Sequence, residues 1–270
     1  MIPVDHVENP KDGTRLAVRI TGSGAPLVLV HGSTASKDAW VFVEPLLAEH
    51  HTVWAYDRRG RGESGDAPSY EYEREVDDLK AIVAKAGGRV HLLGHSFGAR
   101  LAFDAARNLA DLESLVLYEP PLHLSERADA VGEAAGHIEA GRYEEGLLLF
   151  LRQVAGIAEH EIAMLQSAPP VWAEALSTAP TVAREMRALL HRGAPVGPIG
   201  ARTMFLSGSL TRFPVFPSRT DEQALVPDAE HVDLPGQRHL AFATDPAGFA
   251  AAALRFNDPS SARAAKASAT

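Results

Sequence analysis

Cysteine is absent from all 270 residues of the chain. Disulfides, thiolate zinc sites and cysteine nucleophiles are thereby excluded, although the absence does not identify a redox compartment. No uninterrupted apolar run reaches the roughly 18 residues that a membrane-spanning helix needs. The first ten residues, Met1 to Pro10, also lack a basic start followed by an apolar stretch. The expectation is a soluble, unexported, cytoplasmic protein with no membrane partner. Basic residues are in deficit, with 26 Lys and Arg against 35 Asp and Glu for a formal net charge of −9. A duplex nucleic-acid surface needs clustered cations to displace counterions, so nucleic acid is not an expected partner. The carboxylates and histidines lack the paired spacing of a two-histidine helix motif, and no metal or other cofactor is expected.

The chain is 46% hydrophobic, which at this length buries one large core and leaves room for an insertion. Residues 14–20 and 27–30 read as strands on either side of the turn-rich stretch 21–26, and Asp12-Gly13 reads as an earlier hairpin turn. Residues 39–49 predict a helix, 52–56 a strand, 71–86 a helix closed by Gly87-Gly88, and 89–93 another strand. Repeating βα units imply a mostly parallel sheet with helices on both faces. After a short β-type run at 114–118, residues 122–190 hold helix formers and no strand pattern. Regular order resumes with a strand at 203–206, a helix-like 218–225, a strand at 231–234 and an amphipathic helix over 246–256. The expected division is a core of 1–121 and 199–258, an inserted helical block of 122–198, and a tail of 259–270. That Ala- and Ser-rich tail has little to bury and is expected to be disordered.

Within this pattern, Gly94-His95-Ser96-Phe97-Gly98 follows the apolar run Val90-His91-Leu92-Leu93 and precedes a helical pattern from Ala99 to Leu109. A serine hydroxyl is a poor nucleophile at neutral pH, so a fold that uses one must lift it clear of the sheet and supply a base. A sharp strand-to-helix turn does the lifting. It strains the backbone of the central serine and requires small residues two positions to either side, which accounts for Gly94 and Gly98. Ser96 is the expected nucleophile.

Four landmarks in order, His31-Gly32-Ser33 after Leu27–Val30, Tyr56 to Ser64, the turn at Ser96, and Pro235-Gly236-Gln237-Arg238-His239, resemble the α/β-hydrolase superfamily. The resemblance covers nearly the whole chain apart from the tail, and implies the α/β-hydrolase fold with residues 122–198 as a helical cap between the sixth and seventh core strands. It also implies that His239, after the last core strand, takes the Ser96 proton. Among the other histidines, His95 is aimed away from the hydroxyl, and His31 shapes the neighbouring loop. The backbone N–H groups of Ser33 and Phe97 are the implied donors to the oxyanion.

The third catalytic member departs from the commonest pattern. Many members place an aspartate shortly after the seventh strand, where this chain has Ser207 to Phe213 with no carboxylate. Other members place the acid after the sixth strand, and here that position holds Glu119, at the strand end where open α/β sheets gather their functional groups. Glu119 is the expected acid; if it only caps the entry to the inserted block, the alternative is Asp221 or no acid at all. Asp57 reads as an organiser of its loop, whereas Arg58, Arg59 and Arg61 are either solvated or attract an anionic substrate group. In the inserted block, the apolar residues Leu147, Leu148, Leu149, Phe150, Leu151, Val154, Ile157, Met164, Leu165, Val171, Trp172, Leu176, Met186, Leu189 and Leu190 exceed what packing the block on itself requires, so some are expected to line a pocket while others form the apolar faces of its helices.

The resulting expectation is a serine hydrolase acting through an acyl-enzyme on a small to medium, fairly hydrophobic ester, lactone, thioester or activated C–C substrate. The alternatives are a non-hydrolytic enzyme on the same scaffold (lyase, decarboxylase, cyclase or cofactor-free haloperoxidase) or a ligand-binding homologue without turnover. Oligomeric state is not readable from these residues.

Overall fold

A computed structural model describes residues 3–193 and 197–258. The strands are β1 (Val4–Glu8), β2 (Arg15–Gly22), β3 (Ala25–Val30), β4 (His51–Tyr56), β5 (Val90–His95), β6 (Leu112–Tyr118), β7 (Arg202–Gly208) and β8 (Glu230–Leu234). They form one 8-stranded sheet in the order β1-β2-β4-β3-β5-β6-β7-β8. β2 runs antiparallel to β1 and β4, and the strands from β4 to β8 are parallel to their neighbours.

Parallel strands covered on both faces must be apolar at nearly every position, and alternate side chains must serve opposite cores. β3 illustrates this. Leu27 and Leu29 join one buried cluster, with α1 (Glu44–Ala48) and α11 (Pro246–Asn257), whereas Val28 and Val30 join the other, with α2 (Tyr72–Ala86) and α3 (Phe97–Ala106).

Between β6 and β7 lie a 3-10 turn (Leu124–Arg127) and the helices α4 (Ala128–Glu139), α5 (Tyr143–Leu149), α6 (Glu159–Gln166), α7 (Pro169–Ser177) and α8 (Ala179–Leu190), with a π-helical turn at Phe150–Val154 after α5. No strand interrupts this segment among the described residues. Its buried side chains, Val131, Leu147, Val182 and Met186 among them, are continuous with the cluster on the α2–α3 face. α9 (Arg219–Leu225) follows β7, and the short α10 (Ala241–Thr244) precedes α11. Among the described residues no helix is long and apolar enough to cross a membrane.

Two details differ from the sequence reading. The predicted helix over 39–49 is a 3-10 turn (Lys37–Trp40) and the short α1, which has Pro45 in its first turn. Between them Val41 and Phe42 are exposed rather than packed. β1 is an additional edge strand, paired with β2 through the foreseen turn, where Gly13 adopts a φ of 73°. The tail from Pro259 lies outside the described residues.

The register then brings the C-terminal strand ends together. His95 pairs with Tyr118, Tyr118 with Leu206, and Gly208 with Leu234. The residues just beyond β5, β6 and β7, and the loop after β8, therefore share one edge of the sheet.

Candidate active site

Ser96 links β5 to α3 with φ 52° and ψ −122°. Its N–H donates to Tyr118 O at 2.9 Å, tying the turn to β6. A Cβ on Gly94 would come within 2.5 Å of Gly98 O, and one on Gly98 within 2.3 Å of Val30 O. The first clash is the one expected across the turn, whereas the second is with β3, a constraint from the neighbouring strand that the motif spacing does not reveal. Among the described residues, Ser96 and Glu119 are the non-glycine residues with positive φ, Glu119 at 49°. Such backbone costs on the order of 1–3 kcal/mol per residue and persists only where the surroundings enforce it.

Glu119 is almost fully buried at the end of β6, with its N–H bonded to Leu206 O at 3.1 Å. Its Oε1 accepts Gly208 N–H at 2.8 Å, and its Oε2 lies 2.5 Å from His239 Nδ1. Where β7 carries no carboxylate, it thus supplies an N–H that fixes the carboxylate of β6. A carboxylate only accepts, so Nδ1 is the donor in this contact, and in a neutral imidazole Nε2 is then the acceptor. Asp221, the alternative acid, is engaged elsewhere: it accepts from the Ser218 N–H and hydroxyl at the start of α9.

The His239 loop is held from below. The Tyr118 hydroxyl donates to Arg238 O and accepts Ala241 N–H at 3.1 Å, bracketing the histidine. His95 Nε2 lies 3.1 Å from His239 O, and the Phe216 ring stacks on the imidazole with centroids 4.8 Å apart. Tyr118 and Phe216 were not foreseen, because nothing local in their sequence marks which distant loop they support. His95 points into this packing, and burial holds its pKa well below the ordinary histidine value.

Ser33 and Phe97 flank Ser96. Phe97 is the first residue of α3, so its N–H is one of those a helix leaves without an internal acceptor. Ser33 follows β3 in a loop set by His31, whose Nε2 accepts Arg58 N–H at 3.1 Å and whose Nδ1 donates to Gly32 O at 2.9 Å. Burial, with Arg58 nearby, keeps His31 well below its ordinary pKa and therefore neutral.

Two cavities adjoin Ser96. An outer chamber of about 640 Å³ is lined by Ser33, Ser96, His239 and apolar residues that include Phe42, Phe150, Ile157, Met164 and Val171. An inner pocket of about 30 Å³ is lined by Ser33, Ser96 and Phe97 together with Leu124, Phe150, Val154, Met186 and Leu189. The inserted helical segment therefore contributes the pocket walls expected of it, while Leu147 and Leu151 stay in the core.

The loop arginines are neither solvated nor open to substrate: Arg58, Arg59 and Arg61 are at most 1% exposed. Arg59 donates to Asp78 from Nε at 2.6 Å, and Arg61 donates to Glu185 at 2.6 Å. Arg58 also pairs with Glu185, and its guanidinium lies 4.4 Å over the Phe97 ring. Buried arginine tolerates this only because carboxylates from α2 and α8 neutralise it. Asp57 organises the same loop, accepting the N–H of Lys37 at 2.8 Å and of Glu63 at 2.9 Å.

A sequence model of the Alpha/beta hydrolase family matches residues 27–252. N-formylmaleamate deformylase of Pseudomonas putida is 39% identical over 109 residues, 39% of this chain and 41% of that protein. The soluble epoxide hydrolase of a Corynebacterium species is 36% identical over 112 residues, 40% of this chain and 39% of that protein. The chain thus spans about two fifths of the length of these curated relatives. An alpha/beta hydrolase of known structure from Sphaerobacter thermophilus has a TM-score of 0.80 at 29% identity, covering 94% of this chain and 100% of that one. Because the family match runs from within β3 to within α11, and so over most of the chain, the chain belongs to the alpha/beta hydrolase family.

Proposed function

We propose that the protein is a serine hydrolase that acts through an acyl-enzyme, with Ser96 as nucleophile, His239 as base and acid, and Glu119 orienting His239. The observation that carries this reading is that Ser96 and His239 open onto one chamber while Glu119 occupies the far side of the imidazole. Attack of Ser96 Oγ on a carbonyl carbon forms the C–O bond as His239 Nε2 takes the hydroxyl proton. The carbonyl electron pair moves onto oxygen, and the N–H groups of Ser33 and Phe97 receive that charge. Collapse breaks the bond to the leaving group, which takes the proton from His239. Water then attacks the acyl carbon, gives a proton to Nε2, and Ser96 leaves with that proton restored.

In this reading residues 122–198 act as a cap over the core of 1–121 and 199–258. The apolar chamber supports a small to medium, fairly hydrophobic substrate with an ester, lactone, thioester or activated C–C bond. Turnover of p-nitrophenyl esters by the wild type, with loss of at least about 10³-fold in Ser96→Ala, is the expected result. Retained activity in Ser96→Ala contradicts the proposal.

A further inference from the structure

The two cavities differ in which part of the site they touch. The outer chamber borders both Ser96 and His239, whereas the inner pocket borders Ser96, Ser33 and Phe97 but not His239. In the acyl-enzyme reading, on which this inference rests, the departing group receives its proton from His239. It must therefore occupy the chamber that His239 faces. The acyl carbon is bonded to Ser96 Oγ with its oxygen on the N–H groups of Ser33 and Phe97, and the inner pocket is the cavity that borders these three residues without His239, so it receives the acyl substituent.

We infer that the site takes a short acyl group joined to a large apolar leaving group. The inner pocket, at about 30 Å³, has room for about two water molecules, which corresponds to an acyl substituent of about two carbons. The outer chamber, at about 640 Å³, accommodates a leaving group many times larger. The inner wall has little freedom to retreat. Met186 and Leu189 on α8 are 3% exposed, and the adjacent Glu185 on the same helix is anchored to Arg58 and Arg61. Deepening the pocket thus means displacing a helix held by a buried ion cluster, and such clusters are costly to break.

Two ester series test this in the wild-type protein: p-nitrophenyl esters from acetate to octanoate, and acetates of alcohols from ethanol to decanol. The expected kcat/KM is highest at acetate or propionate and at least about 10-fold lower by hexanoate, while it rises with alcohol length. Met186→Ala and Leu189→Ala, assayed separately, each shift the acyl optimum to longer chains with Ser96 still labelled by a small fluorophosphonate. Ser96-dependent turnover that increases through octanoate overturns the inference and leaves the acyl-enzyme reading standing. Turnover that survives Ser96→Ala overturns both.

Discussion

Glu119 Oε2 stands 2.5 Å from His239 Nδ1, although 120 residues of chain separate them. The contact joins the end of β6 to the loop after β8, and Gly208 N–H fixes the carboxylate from a third element. The arrangement sets the imidazole tautomer, so its value lies in orientation as much as in charge.

Replacing Glu119 by Gln keeps the shape and the bond to Gly208 but offers an amide to Nδ1 in place of a carboxylate. The expected outcome is a fall in kcat of about 10³-fold or more with little change in the urea midpoint. Steady-state kinetics beside urea denaturation check it, and an unchanged kcat removes Glu119 from the mechanism.

Glu185 neutralises Arg58 and Arg61, and all three side chains are buried. Glu185→Leu leaves two guanidinium groups short of counter-charge. A stability loss of about 3–5 kcal/mol is expected, seen as a lower urea midpoint. A variant as stable as the wild type contradicts the reading of this cluster as a structural clamp.

Glu174 on α7 lines the outer chamber, and its carboxylate has no ion pair among the described residues. The other lining carboxylate, Asp38, is bound to Arg19, and no Lys or Arg lines the chamber among the described residues. At an effective dielectric near 20, a second carboxylate about 9 Å away is repelled by about 2 kcal/mol. An acetate ester whose alcohol bears a carboxylate is therefore expected to show kcat/KM about 20-fold below its methyl-ester counterpart, chiefly through KM. Glu174→Gln narrows the gap, and equal rates in the wild type count against a charged chamber wall.

Burial pushes the His91 imidazole down to about 4, and neighbouring His51 adds to the effect. Because its folded value lies below the ordinary 6.5, its contribution to stability is present above pH 6.5 and is lost as pH falls toward 4. Urea midpoints measured across that window should fall more steeply for the wild type than for His91→Gln. Parallel curves rule out His91 as a source of acid sensitivity.

The parallel core was legible in the sequence because strand and helix patterns alternate and β3 is apolar at every position, a pattern that double-sided burial demands. The contact of Glu119 with His239 followed from the resemblance, which puts an acid after the sixth strand when none follows the seventh, at a strand end where the topology restricts what it can reach. β1 escaped because an edge strand with Val7 as its buried residue carries no periodic signal. Arg58 was misread because its partner Glu185 lies 127 residues away. No local pattern announces that a charged loop will be covered by a distant helix. The division of the site into a small and a large cavity depends on side-chain packing from several helices at once, and it too leaves no trace in spacing.

The most direct measurement is mass spectrometry of the protein quenched during turnover of p-nitrophenyl acetate. The account predicts an acetyl group on the peptide that contains Ser96, absent in Ser96→Ala and slow to form in His239→Ala. Turnover with no acyl group on Ser96, or with the acyl group on another residue, contradicts it.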